Sequence, residues 1–161
     1  MAIILSQFAT RVQNTVNADA AGKTVANDFF VDLLATDLVA GNVIDLGILP
    51  AGNSVSNVQL MCDKLDSNGT PAITLDVGLM SGEVGVADAA RTVGQELFAG
   101  STNAQSGTAV ATPATRAALT IAASKFDRSI GVKIVTAPAT AAAGRIRARV
   151  FNYATDSNIQ Y

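Results

Sequence analysis

The sequence predicts an all-β fold: a single-domain β-sandwich of jelly-roll type, with about eight strands, one short helix and an extended N-terminal arm. Three observations carry this. From Asp28 to Tyr153 the chain is a series of short segments, most with apolar residues at every second position, the period of a strand with one buried face. Gly, Pro, Asn and Asp cluster between the segments, where turns need them. There is no internal repeat and no sign of a second domain. The 161 residues, 49% of them hydrophobic, suffice for one core.

Residues 1–27 read as an arm and 28–161 as the sandwich domain. The arm is rich in Asn, Thr, Gln and Ala and has no sustained period. It still carries Ile3, Ile4, Leu5, Phe8, Val12 and Val16, which a purely solvated tail would not need. It reads either as a loosely ordered terminus or as a segment that lies on a neighbouring subunit.

The strands follow in order. FFVDLL (Phe29–Leu34) is short and apolar. NVIDLGIL (Asn42–Leu49) sets Ile44, Leu46 and Ile48 against Val43, Asp45 and Gly47, and Pro50–Asn53 breaks it. SVSNVQLMCDKL (Ser54–Leu65) puts Val58, Leu60 and Cys62 on one face and Gln59, Met61 and Asp63 on the other. DSNGTP (Asp66–Pro71) is a turn. AITLDVGLM (Ala72–Met80) sets Ile73, Leu75, Val77 and Leu79 against Thr74, Asp76, Gly78 and Met80. The last two segments read as a long hairpin. Asp88–Gly100 has Ala90, Val93, Gly94, Leu97 and Phe98 at helical spacing, with Asp88 and Gly100 as caps, so a short crossover helix is expected there. TAVAT (Thr108–Thr112), RAALTIA (Arg116–Ala122) and SIGVKIV (Ser129–Val135) read as further strands. GRIRARVFNY (Gly144–Tyr153) sets Ile146, Ala148 and Val150 against Arg145, Arg147 and Arg149.

Composition excludes several classes of function. The chain has no His, no Trp and one Cys. Ser-His-Asp and Cys-His catalysis are therefore unavailable, as are zinc sites built on His or paired Cys. No catalytic residue, cofactor or metal is assigned. Net charge is −2 with a pI near 4.9, which argues against a nucleic-acid partner. The apolar run MAIILSQF is too short for a signal-peptide core. No stretch is long enough to span a bilayer, so the expectation is a cytoplasm as the place of synthesis and assembly, with no membrane partner. Charged residues are only 15%, low for a surface facing only water. With Met61 and Met80 placed on outer strand faces, this points to a surface covered by partners and to self-association.

Four groups of residues are candidates for chemistry. Asp63, Asp66, Asn68 and Asp76 offer oxygens that suit calcium, but their spacing fits no calcium loop, and turn shaping with Asp76 on the solvent face is favoured. Paired carboxylates suit glycoside hydrolysis, yet the chain lacks Trp and has few aromatics to stack on sugars. Gly78, Gly82 and Gly85 lack the Lys that follows in a phosphate loop. Arg145, Arg147 and Arg149 share one strand face and form either an acid-binding stripe or a solvated face paired with this chain's own Asp residues.

VIDLGILPAGNSVSNVQLMCDKLDSNGTPAITLDVGL (Val43–Leu79) and SIGVKIVTAPATAAAGRIRARVFNY (Ser129–Tyr153) together resemble the head decoration proteins, or cement proteins, of tailed bacteriophages. The shared pattern is a strand, a Pro-Ala-Gly turn, a strand, an Asp-rich turn and an alternating strand. Later come a strand, an Ala/Thr/Pro loop and a last strand ending in an aromatic. The sequence departs from that pattern in the longer segment Glu83–Gly100. The resemblance implies a β-sandwich on the outer capsid surface of a virion, clamping major capsid subunits and forming trimers, or dimers, at local symmetry axes. Ile3, Ile4, Leu5, Phe8, Val12, Val16, Arg145, Arg147 and Arg149 are the candidate contacts. Other readings are a fibre, spike or tail component, and a glycan-binding module.

Overall fold

Alternation along the chain becomes a two-sheet sandwich in the structure, a computed structural model that describes residues 1–18, 23–107, 110–111 and 116–155. The strands are β1 (Ile3–Leu5), β2 (Thr24–Leu33), β3 (Val43–Leu49), β4 (Asn53–Cys62), β5 (Thr74–Leu79), β6 (Phe98–Ser101), β7 (Val110–Ala111), β8 (Arg128–Thr136) and β9 (Gly144–Ala154). Two helices of one turn each are α1 (Asn103–Ser106) and α2 (Arg116–Leu119). One sheet has the order β1-β3-β8-β5-β6 and the other β2-β9-β4-β7. From β2 on, this is the strand arrangement of a jelly roll. β1 adds an extra edge strand, parallel to β3.

The core lies between the sheets. Ile146, Ala148 and Val150 of β9, Val58 and Leu60 of β4, and Ile130, Val132 and Ile134 of β8 face into it and are almost wholly buried. β3 departs from simple alternation. Its pairing with β8 shifts register between Asp45 and Gly47, and Leu49 instead of Ile48 joins the core. The bulge turns Gly47 under the Phe29 ring, where any Cβ would collide with that ring. The alternation of Ile44, Leu46 and Ile48 against Val43, Asp45 and Gly47 thus holds only up to the bulge.

Other expectations are corrected too. The segments either side of Asp66–Pro71 do not form a hairpin: β4 pairs with β9 and β7, and β5 pairs with β8 and β6. No helix spans Asp88–Gly100. Met80 bridges Val93, and Phe98 begins β6. The apolar residues there follow close packing on the sheet, where Gly131 leaves room for Met80 and Val93, and Gly94 disfavours a helix. Met80 is therefore buried, not exposed. Arg116–Ala122 holds α2 instead of a strand. Its Ala-rich run favours helix, and Ala118 and Ile121 pack into the core.

A further correction concerns the N-terminal segment. β2 begins at Thr24, so the boundary at 27/28 cuts a strand. Ile3–Leu5 pair with Val43–Asp45. Phe8 joins the core and meets Phe29 and Phe30 edge-on, with ring centroids 5.3 and 5.4 Å apart. A chain of amides, Asn27 to Asn152 to Asn53 to Asn17, ties residues 16–18 across one end of the sandwich. The three-residue strand and the amide ties leave no sequence period to read.

The Asp-rich turn is a structural clamp. Asp66 is fully buried, and its carboxylate accepts hydrogen bonds from the backbone N–H groups of Asn68, Ala72, Ile73, Ala139 and Thr140. It thereby joins the β4–β5 and β8–β9 loops. Burial alone would push its carboxyl pKa up, but these N–H groups outweigh that and hold it well below the usual carboxylate range. A depressed pKa gives stability that is complete above the unfolded value of about 3.9 and fades as pH falls through the folded one. Asp66→Asn, which aims a donor at donors, is expected to lower the melting temperature markedly at pH 7. The gap to the unmodified protein should narrow below about pH 4. A gap that stays constant from pH 7 to pH 2.5 would refute the clamp.

Candidate interaction surface

The outer faces of the two sheets differ. That of the five-stranded sheet is covered by the chain itself. Ser6 donates its backbone N–H to the Asp45 carbonyl and its hydroxyl to the Leu46 carbonyl, holding the N-terminal segment there. Arg91 is 2% exposed and bonds Asp45, Ser129 and the carbonyls of Ser81 and Val86. Asp76, expected on the solvent face, is buried because Gln95 and the Gly100 N–H close over it.

The outer face of the four-stranded sheet stays open among the described residues. Register builds it: Asp28 lies opposite Arg149, Phe30 opposite Arg147 and Asp32 opposite Arg145. Arg145 grips Asp32 with two bonds of 2.7 and 2.8 Å. The hydrogen bond from Arg145 is the main cause that lowers the Asp32 pKa, and the same bond raises that of Arg145. Arg149 reaches Asp28 at 3.2 Å, and Arg147 stands 3.6 Å from it. The guanidinium groups of Arg145 and Arg147 lie 4.6 and 5.8 Å from the Phe30 ring centre. Arg147 remains 36% exposed and Asp32 67%.

Met61, Phe151 and Tyr153 complete this face, all half-buried. Arg, aromatics and Met without Lys are the side chains enriched where proteins meet. Beside Arg145 and Arg147 the face deepens into a groove of about 830 Å³, with Leu33, Leu34, Met61 and Asp63 along it. The structure thus groups the three predicted Arg residues and pairs them with this chain's own Asp28 and Asp32, which was one of the two readings. It also adds Phe30, whose signal was present: it sits at period two between the two Asp residues.

The predicted contacts of the N-terminal segment lie elsewhere. Ile3, Ile4 and Leu5 are half-buried in β1, and Phe8 is buried. Only Val12 and Val16 of that set point to solvent, at 73% and 54% exposure.

The arrangement offers binding, with little for catalysis. Burial, and to a lesser degree the Asp63 charge, push the Cys62 thiol up to about 12, so it stays protonated and unreactive at neutral pH. Among the described residues no group of three or more His, Cys, Asp or Glu side chains could hold a metal ion. No described helix is long and apolar enough to cross a membrane.

Neither a protein-family model nor a curated protein matches the chain. Solved structures do. A chain in the capsid of Ralstonia phage GP4 superposes with a TM-score of 0.92 at 41% identity, covering 97% of this chain and 100% of that one. A chain in the cyanophage Pam1 capsid asymmetric unit superposes with a TM-score of 0.67 at 26% identity, covering 89% of this chain and 96% of that one.

Proposed function

The chain belongs to a family of bacteriophage capsid structural proteins, and from that footing we propose that it is a decoration, or cement, protein. In this reading it assembles in the host cytoplasm onto the outside of a shell built by a separate major capsid protein, and it stabilises the joints between those subunits. It acts as a trimer, in preference to a dimer. The observation that carries the reading is the open face of the four-stranded sheet. The fold covers one sheet with its own loops and leaves the other with Arg145, Arg147, Arg149, Phe30 and Met61 at the surface. A protein that binds only the finished shell stabilises that shell by mass action and needs no chemistry of its own.

The test is to assemble particles with and without this protein and heat them. Decoration requires that particles form in both cases and that those lacking the protein release their DNA at a lower temperature. Shells that never form without it would assign it to the shell itself.

The Arg face gives a sharper expectation. Arg145 and Arg149 are engaged by Asp32 and Asp28, whereas Arg147 has only the longer contact. Asp28, Asp32 and Asp63 balance the three Arg in number, so Arg147, whose ion pair is the long one, is the side chain best placed to meet an acidic group on the capsid or a sister subunit. The triple change of Arg145, Arg147 and Arg149 to Ala is expected to weaken binding to particles by roughly tenfold or more. Added salt should weaken the native contact in the same direction. Unchanged occupancy in both experiments would reduce the stripe to a solvated face.

A further inference from the structure

Asn68 is the one asparagine of the chain that a glycine follows. The shape of the turn does not require that glycine. Gly69 is not among the glycines of positive φ, and a Cβ placed on it meets nothing within 4 Å. What glycine supplies here is a backbone nitrogen with no side chain to shield it. That nitrogen is also unused. Gly69 is exposed, and among the described residues nothing accepts a hydrogen bond from its N–H.

The Asn68 side chain is held over the same peptide bond. Its Oδ1 accepts the Thr70 N–H at 2.9 Å, which makes an Asx turn. The ring closed by that bond contains both the Asn68 Cγ and the Gly69 nitrogen. Its Nδ2 donates to the Thr140 hydroxyl at 3.1 Å. These contacts suit an attack of the Gly69 nitrogen on Cγ. Negative charge would develop on Oδ1, where the Thr70 N–H already points. The nitrogen that must leave rests against the Thr140 hydroxyl, which can pass a proton to it. By contrast, the amides of Asn27, Asn53 and Asn152 are buried and bonded to one another, and none of these residues precedes a glycine.

We propose that Asn68-Gly69 is a self-modifying site, where the folded turn converts asparagine to aspartate and isoaspartate and thereby loosens the Asp66 clamp. Solvent hydroxide takes the Gly69 proton, and the nitrogen bonds to Cγ. The Cγ–Nδ2 bond then breaks, and Nδ2 leaves as ammonia with the protons it gains from water or Thr140. A cyclic succinimide remains, and water opens it. Cleavage at Cγ gives aspartate. Cleavage at the Asn68 backbone carbonyl gives isoaspartate, whose Cβ and Cγ lie in the main chain. Water is consumed and ammonia released, with no change in oxidation state.

The consequence falls on the loop junction. Either product sets a second carboxylate beside Asp66, which accepts the Asn68 N–H, and neighbouring like charges disfavour each other. Isoaspartate also lengthens the main chain between Asn68 and Ala72, which both donate N–H groups to Asp66. The tie between the β4–β5 and β8–β9 loops therefore weakens as the molecule ages. This holds whether or not the protein decorates a shell.

The test is to hold the full chain in mildly alkaline buffer below its melting temperature, folded and in urea, and to map its peptides by mass spectrometry over time. Asn68 should convert in the folded chain at least as fast as in urea, and roughly tenfold faster than any other asparagine. Gly69→Ala should keep the melting temperature, because its Cβ meets open space. It should slow the conversion by roughly tenfold or more. Fully converted protein should melt lower at neutral pH than fresh protein, whereas Gly69→Ala held for the same time should not. Conversion that runs faster in urea than in the folded chain would show that the turn shields Asn68 and would overturn the proposal. Conversion with no change in melting temperature would overturn its link to the clamp.

Discussion

Arg91→Ala is expected to lower the stability of the fold by about 3–5 kcal/mol, the usual cost of removing one member of a buried ion pair. The side chains of Arg91 and Asp45 are 1% and 0% exposed and meet at 2.7 Å. Ser129 bonds both of them. Arg91 also binds the carbonyls of Ser81 and Val86, so it pins the 81–91 loop to the sheet. Removing it strands the Asp45 charge and frees that loop. One Asp45 oxygen, Oδ1, already lacks a hydrogen-bond partner, so the pair is not ideally satisfied. The double change Arg91→Met with Asp45→Leu should therefore recover most of the loss, because well-packed apolar groups often match a buried pair. Urea unfolding of the single and double variants measures both. A loss under about 1 kcal/mol for Arg91→Ala would mean that water reaches Asp45.

Deleting Met1–Ala18 is expected to cost on the order of 5 kcal/mol. Phe8→Ala alone should cost about 3 kcal/mol, the low end for a buried Phe. The deletion removes β1, uncovers the Phe29 ring and exposes the buried amides of Asn27, Asn53 and Asn152 at the end of the sandwich. Set against a typical domain stability of about 5–15 kcal/mol, that loss puts the truncated chain near unfolding at ambient temperature. Thermal melting followed by circular dichroism is the check. A truncated protein that melts with the full chain would restore the segment to the status of an arm. Val12→Ser with Val16→Ser separates docking from folding, since both side chains face solvent. That variant should melt normally, and any loss of particle binding would report contact alone.

The sequence made the strands of the sandwich legible where one face is buried and the other wet. β9 is the clearest case: inward Ile146, Ala148 and Val150 alternate with outward Arg residues, and the structure keeps that phase throughout. Legibility failed where the chain covers its own sheet. β3 is buried at every position, so alternation carried no sign that Asp45 is half of an ion pair with Arg91, far away in sequence. Period also failed at the bulge before Gly47, because a one-residue slip exchanges the two faces. In the 88–100 stretch, apolar residues that pack on a sheet from outside fell by chance at helical spacing. Of the open surface, the Arg stripe was readable from its own strand. Its partners Asp28, Phe30 and Asp32 required the β2–β9 register, which joins residues more than a hundred positions apart.

That register also governs when the protein can fold. β9 lies between β2 and β4, bonded to both, so the four-stranded sheet has no centre until residues 144–154 have been synthesised. A nascent chain lacking them carries β2 and β4 as separate strands with unpaired ladders, and such long-range pairing makes folding slow, on the order of milliseconds to seconds. Folding of this sheet thus waits for residues 144–154, however early β2 and β4 emerge. The Arg-bearing face, built on that strand, cannot form before it.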